Sequence, residues 1–170
     1  MECKPEPHDL LVALLLVQSL LERRSEAFFQ PFGLSSAQFN ILNLLAYRDG
    51  RMDQSALVEL LLVGKSSVSI VLNRMVRDGL VKREEHPRDR RQVVLLLTAK
   101  GLNLWRKISP LYEKEVREAF GSLPVKRRQR FIQDLEILYD ALKRNAGAAN
   151  AETSSPSLRE TMRLLSAPAS

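Results

Sequence analysis

The stretch HPRDRRQVVLLLTAKG, His86 to Gly101, sets Arg88, Asp89, Arg90 and Arg91 at a proline-marked turn, ahead of the apolar run Val93 to Leu97. Guanidinium groups are planar, permanently charged and rich in donors, so at an exposed tip they can bind phosphate. They can also enter a DNA minor groove, where the potential is most negative. Asp89 fits as the carboxylate that orients the neighbouring guanidiniums, or Arg74, so that they project. A solvated turn would expose the same arginines just as readily.

A second group of candidate residues lies upstream in KSSVSIVLNRMVRDGL. Read as a helix, it carries Val68, Val71, Leu72, Met75 and Val76 on one side, and Ser66, Ser69, Ile70, Asn73 and Arg77 on the other. Lys65 and Ser67 stand beside the polar face near its start. Small hydroxyls there let the backbone approach DNA closely, and free N–H groups at a helix start bind phosphate. Asn73 could read an adenine edge, and an outward Ile70 could pack against a thymine methyl. A solvated polar face would account for the serines equally well, and a place tucked under the following hairpin would account for Ile70.

Charge supports an anionic partner. Between Lys65 and Arg91 the bases Lys65, Arg74, Arg77, Lys82, Arg83, Arg88, Arg90 and Arg91 outnumber the acids Asp78, Glu84, Glu85 and Asp89 by four, against +6 for the whole 170-residue chain. Such a surface binds DNA with a steep salt dependence, because each neutralised phosphate releases counterions. Catalysis has little to work with. His8 and His86 are far apart, no His or Cys pair has metal-ligand spacing, and there is no Gly-rich phosphate loop or nucleophile elbow. The expectation is a protein that is not an enzyme and has neither metal nor cofactor. The single Cys3 cannot close an internal disulfide, which makes the cytoplasm the expected compartment. The longest apolar run, Leu10 to Val17 extended by Leu20 and Leu21, falls short of the roughly 20 residues that span a bilayer. The acidic MECKPEPHD before it is unlike a secretion signal.

These groups need elements to hold them. His8 to Gln30 reads as a helix that is apolar nearly all round in its first half, which a lone surface helix does not tolerate, so it belongs in an interface. After Pro31 and Gly33, Ser35 and Gln38 form a capping-box pattern, with Leu34 and Phe39 as a hydrophobic staple, opening a helix that runs to about Tyr47. Asp49-Gly50 stops it. A short helix after Asp53 buries Ala56, Leu57, Leu60 and Leu61, and the Lys65 to Arg77 helix ends at Gly79, with Leu80 folding back. Val81 to Glu84 and Val93 to Leu97 read as a hairpin joined by a turn of eight residues. Thr98 opens a long helix with the stripe Leu104, Trp105, Ile108, Leu111, Tyr112, Val116 and Phe120, which Pro110 should kink or split. A last helix carries Phe131, Leu135, Leu138, Tyr139 and Leu142.

The expected fold is therefore mainly α with a small β-hairpin. It has an N-terminal dimerisation helix over 8–34, a winged helix-turn-helix over 35–98 and C-terminal dimerisation helices over 99–145. A disordered tail is expected over 146–170, although 157–165 could form a short helix on a partner.

The run GKSSVSIVLNRMVRDGLVKREEHPRDRRQVVLLLTAKG resembles the multiple-antibiotic-resistance regulator (MarR) family. The resemblance is carried by Ser66-Ser67-Val68, Gly79-Leu80-Val81, Asp89-Arg90-Arg91, Leu97-Thr98 and Gly101, in order and at the family's spacings. It implies a triangular homodimer that represses or activates genes by binding a pseudo-palindrome in double-stranded DNA. Ser66, Ser67 and Ser69 would then lie in the major groove, Arg91 in the minor groove, and Asp89 would organise the wing. The chain departs from the family pattern at Ile70, commonly Arg, and at Leu62, commonly Gly. Relatives are often released from DNA by a small aromatic acid or phenol, an effector for which Phe28, Phe29, Phe39, Trp105 and Tyr112 are the candidate pocket residues here, although such residues are more often plain core. The peroxide-sensing branch uses a cysteine inside the first helix, and Cys3 lies before it. A winged-helix module that binds protein without sequence-specific DNA binding is the alternative, and it would need an apolar or acidic recognition face.

Overall fold

The computed structural model describes residues 4–61, 65–87, 89–147 and 157–166, in two compact units that divide after Asn40. In the first unit helix α1 spans Pro7–Phe29. It starts where its sequence allows: Pro7 occupies the first turn, where its missing N–H is no loss, and the Glu6 N–H donates to Asp9 Oδ2 at 2.8 Å. A 3-10 turn, Gln30–Phe32, ends at Gly33 with a φ of 69°. The capping box then forms as expected. Ser35 N–H donates to Gln38 Oε1 at 2.9 Å and Gln38 N–H to Ser35 Oγ at 3.2 Å. Leu34 and Phe39 are buried, and the Phe39 ring stacks on that of Phe29 at 4.7 Å. By contrast Leu10, Leu11, Leu15, Leu16, Val17 and Leu20 are each more than half exposed.

Helix α2, Ser36–Ala46, runs across the division, and its Ile41, Leu42, Leu44 and Leu45 are fully buried. Asp49 and Gly50, with φ of 53° and 75°, then turn the chain into a strand that the sequence reading lacks, β1 over Arg51–Asp53. Next come α3 (Gln54–Leu61), α4 (Lys65–Arg77), β2 (Val81–His86) and β3 (Asp89–Leu97). The three strands form one antiparallel sheet in the order β1-β3-β2. Strand β3 is paired on both sides, and Val94 and Leu95 are fully buried. Adjacent strand residues point to opposite faces, so both faces of β3 are covered at this point, which accounts for its unbroken apolar run.

The hairpin is longer than its sequence suggests, and the expected eight-residue turn is corrected. The ladder continues through Glu85↔Val93, then its register shifts and His86 pairs with Asp89. Asp89, Arg90 and Arg91 therefore belong to β3 itself, and Arg90, Arg91 and Gln92 fall in the irregular stretch between those two pairs. Backbone pairing has extended the strands through residues whose side chains read as turn, with the surplus taken up as a bulge.

Helix α5, Ala99–Phe120, is continuous through Pro110, so the expected split does not occur. The proline forgoes one backbone bond, but Ile108 and Ser109 beside it are buried and hold the helix in place. Helix α6 follows over Val125–Gly147. Within the tail expected to be disordered over 146–170, Ala146 and Gly147 instead close α6, and the alternative of a short helix over 157–165 is the one that forms. Leu158–Ser166 form a strongly amphipathic helix, α7, which buries Thr161 and ties Arg159 Nε to Glu136 Oε1 of α6. Residues 148–156 and 167–170 lie outside the described residues. None of the helices, among the described residues, is long and apolar enough to cross a membrane.

Candidate nucleic-acid interface

Helix α4 turns its two sides as its sequence dictates. Val68, Leu72 and Met75 are buried, whereas Ile70, Asn73, Arg74 and Arg77 are exposed. Ile70 is 71% exposed, which removes the reading that places it beneath the hairpin. Ser69 is half-buried and lines a hollow of about 410 Å³ with Gln54, Ser55, Val58, Glu59, Gln92 and Val93. The backbone of Lys65, Ser66 and Ser67 forms the first turn of α4. Their side chains, those of Arg90 and Arg91, and the whole of Arg88 and Leu62 lie outside the described residues.

The C-terminal end of α4 is fixed three ways. Gly79, with a φ of 70°, lets Leu80 N–H reach back to the Met75 carbonyl at 2.9 Å and Gly79 N–H reach the Val76 carbonyl at 3.0 Å. This double bond pattern closes the helix in the manner expected of a left-handed glycine. Thr98 then joins that end to α5. Its Oγ1 donates to the Gly79 carbonyl at 2.7 Å and caps α5 by accepting Gly101 N–H at 3.0 Å. Lys100 Nζ adds a bond to the Asp78 carbonyl at 2.8 Å.

Two side-chain pairs organise the exposed face. Arg74 pairs with Asp78, one turn on, at 3.8 Å; both are well exposed, so the pair contributes little stability and places Arg74 along the helix. Arg83, on β2, donates from Nη1 to Asn73 Oδ1 at 2.6 Å and so bridges hairpin and helix. Sequence reasoning missed Arg83: ten residues separate it from Asn73, and nothing in either local pattern shows that they meet. Asp89, expected to orient the neighbouring arginines or Arg74, accepts a bond from Gln92 Nε2 at 3.2 Å, and Arg74 pairs with Asp78; the side chains of Arg88, Arg90 and Arg91 lie outside the described residues.

The five aromatic residues considered for a ligand pocket fall in both units. Phe29 and Phe39 are fully buried and stacked, with the Phe28 ring edge-on to Phe29 at 5.0 Å, so Phe29 and Phe39 are core. In the second unit Trp105 Nε1 donates to Asn43 Oδ1 at 3.0 Å, and its ring lies edge-on to Tyr47 at 5.8 Å. Burial raises the Tyr112 phenol above its ordinary value. Burial first, and then the nearby Glu113 carboxylate, do the same to Tyr47.

A three-stranded sheet, a hydroxyl-rich helix ahead of a hairpin and a long helix leaving that hairpin make a winged helix-turn-helix. Residues 32–92 match the model of the MarR family. The crystal structure of AbsC, a MarR family transcriptional regulator from Streptomyces coelicolor, superposes with a TM-score of 0.75 at 30% identity, covering 83% of this chain and 98% of that one. The chain belongs to the MarR family. Members of the MarR family are transcriptional regulators and not enzymes, in accord with a sequence that offers no catalytic constellation. Among curated relatives, the HTH-type transcriptional repressor YetL of Bacillus subtilis is 25% identical over 135 residues, 79% of this chain and 81% of its own length. A mutant MarR from Escherichia coli, solved in complex with operator DNA, shares the fold at a TM-score of 0.68 and 21% identity, covering 76% of this chain and 92% of that one.

Proposed function

We propose that this MarR-family regulator is a homodimeric repressor that binds a pseudo-palindromic operator, with α4 in the major groove and the β2–β3 wing over the adjacent minor groove. The observation that carries the reading is Ile70. A large aliphatic side chain 71% exposed amid Asn73, Arg74 and Arg77 is unfavourable in water and suited to a thymine methyl. An exposed isoleucine on a basic face does not suit a module that docks protein through an apolar or acidic helix. The repressor YetL and the operator-bound MarR of Escherichia coli are relatives whose roles agree with this reading.

Self-association follows from unsatisfied apolar surface. The leucines of α1, together with Phe131 (52% exposed) and Leu142 (60% exposed) on α6, leave more apolar side chain in water than a stable monomer keeps. Deleting Met1 to Gln30 should give aggregated or unfolded chain, and a soluble, folded monomer from that deletion would place the interface elsewhere. Release by a small aromatic or phenolic effector beside Trp105 and Tyr112 completes the proposal, supported by an indole already held by Asn43 and Tyr47.

Selection of bound sites from random duplex DNA tests the central claim. Two symmetric half-sites about one helical turn apart are expected. An unenriched pool at physiological salt would exclude sequence-specific binding. Arg91→Ala tests the wing: operator affinity should fall while the melting temperature holds, and unchanged affinity would remove the wing from the mechanism.

A further inference from the structure

The bond from Arg83 Nη1 to Asn73 Oδ1, at 2.6 Å, constrains more than the packing of the wing. An amide presents two unlike ends, a carbonyl that accepts and an NH2 that donates, and an asparagine reads adenine by using both, on N6–H and N7. A guanidinium has donors only, so the end it touches is the oxygen, and the orientation of the Asn73 amide is settled by chemistry. Oδ1 points to β2, held there by a charged donor at short range. Nδ2 is left as the free end, with no acceptor among the described residues. Asn73 is exposed and stands one turn beyond Ile70 on the same side of α4, and Arg83 is exposed as well.

We infer that Arg83 is a specificity-determining positioning residue: by holding the carbonyl of Asn73 it makes this asparagine a donor-only reader, which selects guanine or the thymine O4 and disfavours adenine at its base pair. Guanine offers N7 and O6 as acceptors and thymine offers O4. Adenine would place its N6 donor against the Asn73 NH2 unless the amide turned and gave up the guanidinium. The inference rests on the operator-binding reading above, and it revises the adenine contact that the sequence alone suggests for Asn73. It also makes the wing a part of major-groove recognition, since the choice of base on α4 depends on a side chain of β2.

Site selection on four proteins tests this: wild type, Asn73→Ala, Arg83→Met, and the double variant. Methionine keeps an apolar stem of similar length and removes every donor. Wild type should show G or T at one position per half-site, and Asn73→Ala should flatten that position alone. Arg83→Met, with Oδ1 released, should gain adenine there by about tenfold in relative enrichment, the size expected of one recovered base contact. In the double variant the adenine gain should vanish, because Arg83 acts through Asn73. Adenine in the wild-type logo at the position Asn73→Ala flattens would overturn the inference. So would an Arg83→Met protein that binds all sites uniformly more weakly, with a shallower salt dependence and an unchanged logo, since that is the behaviour of a phosphate contact. If wild type enriches no sequence at all, the operator-binding reading itself fails, and this inference with it.

Discussion

Gly101→Ala should destabilise the protein even though alanine is the better helix former. Gly101 lies buried in the first turn of α5, and a methyl group there would run into the Leu80 carbonyl oxygen while standing 2.9 Å from Leu97 Cδ1. The leucine tip can turn aside. The Leu80 carbonyl cannot, because it is backbone that accepts Thr98 N–H at 3.1 Å. On an open helix the substitution would gain about 1 kcal/mol. Forcing a methyl against packed backbone costs about 1–3 kcal/mol, and disturbing the Thr98 cap costs about 1 kcal/mol more. The net effect is a loss of roughly 1–3 kcal/mol, or a melting temperature lower by roughly 3–10 °C for a chain of this size. Urea unfolding followed by circular dichroism, at one fixed protein concentration so that self-association contributes equally, measures it directly. An alanine variant as stable as wild type would mean that α5 and the end of α4 are not in the close approach described.

Other substitutions probe separate parts of the molecule. Ile70→Arg should move the preference at one position per half-site from T·A toward G·C, by about 1–3 kcal/mol of discrimination, and steepen the salt dependence; identical logos would show that Ile70 does not meet the bases. The raised Tyr112 phenol means that the folded chain holds this proton more tightly than the unfolded chain, so its contribution to stability is full below pH 10.0 and is lost as pH rises above it. Tyr112→Phe should therefore flatten the alkaline fall in urea midpoint, and an equally steep fall would assign that loss elsewhere. Arg159→Ala should leave the global urea midpoint nearly unchanged, since the arginine is largely exposed, yet speed hydrogen exchange across α7; unaltered exchange would show that apolar contacts alone hold that helix.

Local chemistry made much of this fold legible. The Ser35 and Gln38 box, the Gly79-Leu80 helix end and the Thr98 cap are each fixed within a few residues of sequence, and each forms as its spacing implies. The two sides of α4 follow from its period. What the sequence withheld depends on partners distant along the chain. Strand β1 is three residues long and exists because β3 offers it a second edge. The wing extends through His86 and Asp89 because pairing overrides turn-like side chains. Helix α7 falls where the sequence allows a short helix, but that it packs on α6 of the same chain is not written in its own composition. The Arg83 to Asn73 bond joins two residues that each read as solvated side chains until strand and helix are brought together.

The joint at Thr98 also has a mechanical meaning. Helix α5, 22 residues long, is about 33 Å from end to end at roughly 1.5 Å per residue. Its first turn is bolted to the last turn of α4 through Thr98, Lys100 and the bare face of Gly101, with no flexible linker between them. A rod fixed in that way acts as a crank. Tilting it by about 5° displaces one end relative to the other by about 3 Å, close to the spacing of roughly 3.4 Å between successive base pairs. Whatever grips the far end of α5 thus has leverage on where α4 lies, and under the operator-binding proposal small angles there would be large distances at the bases.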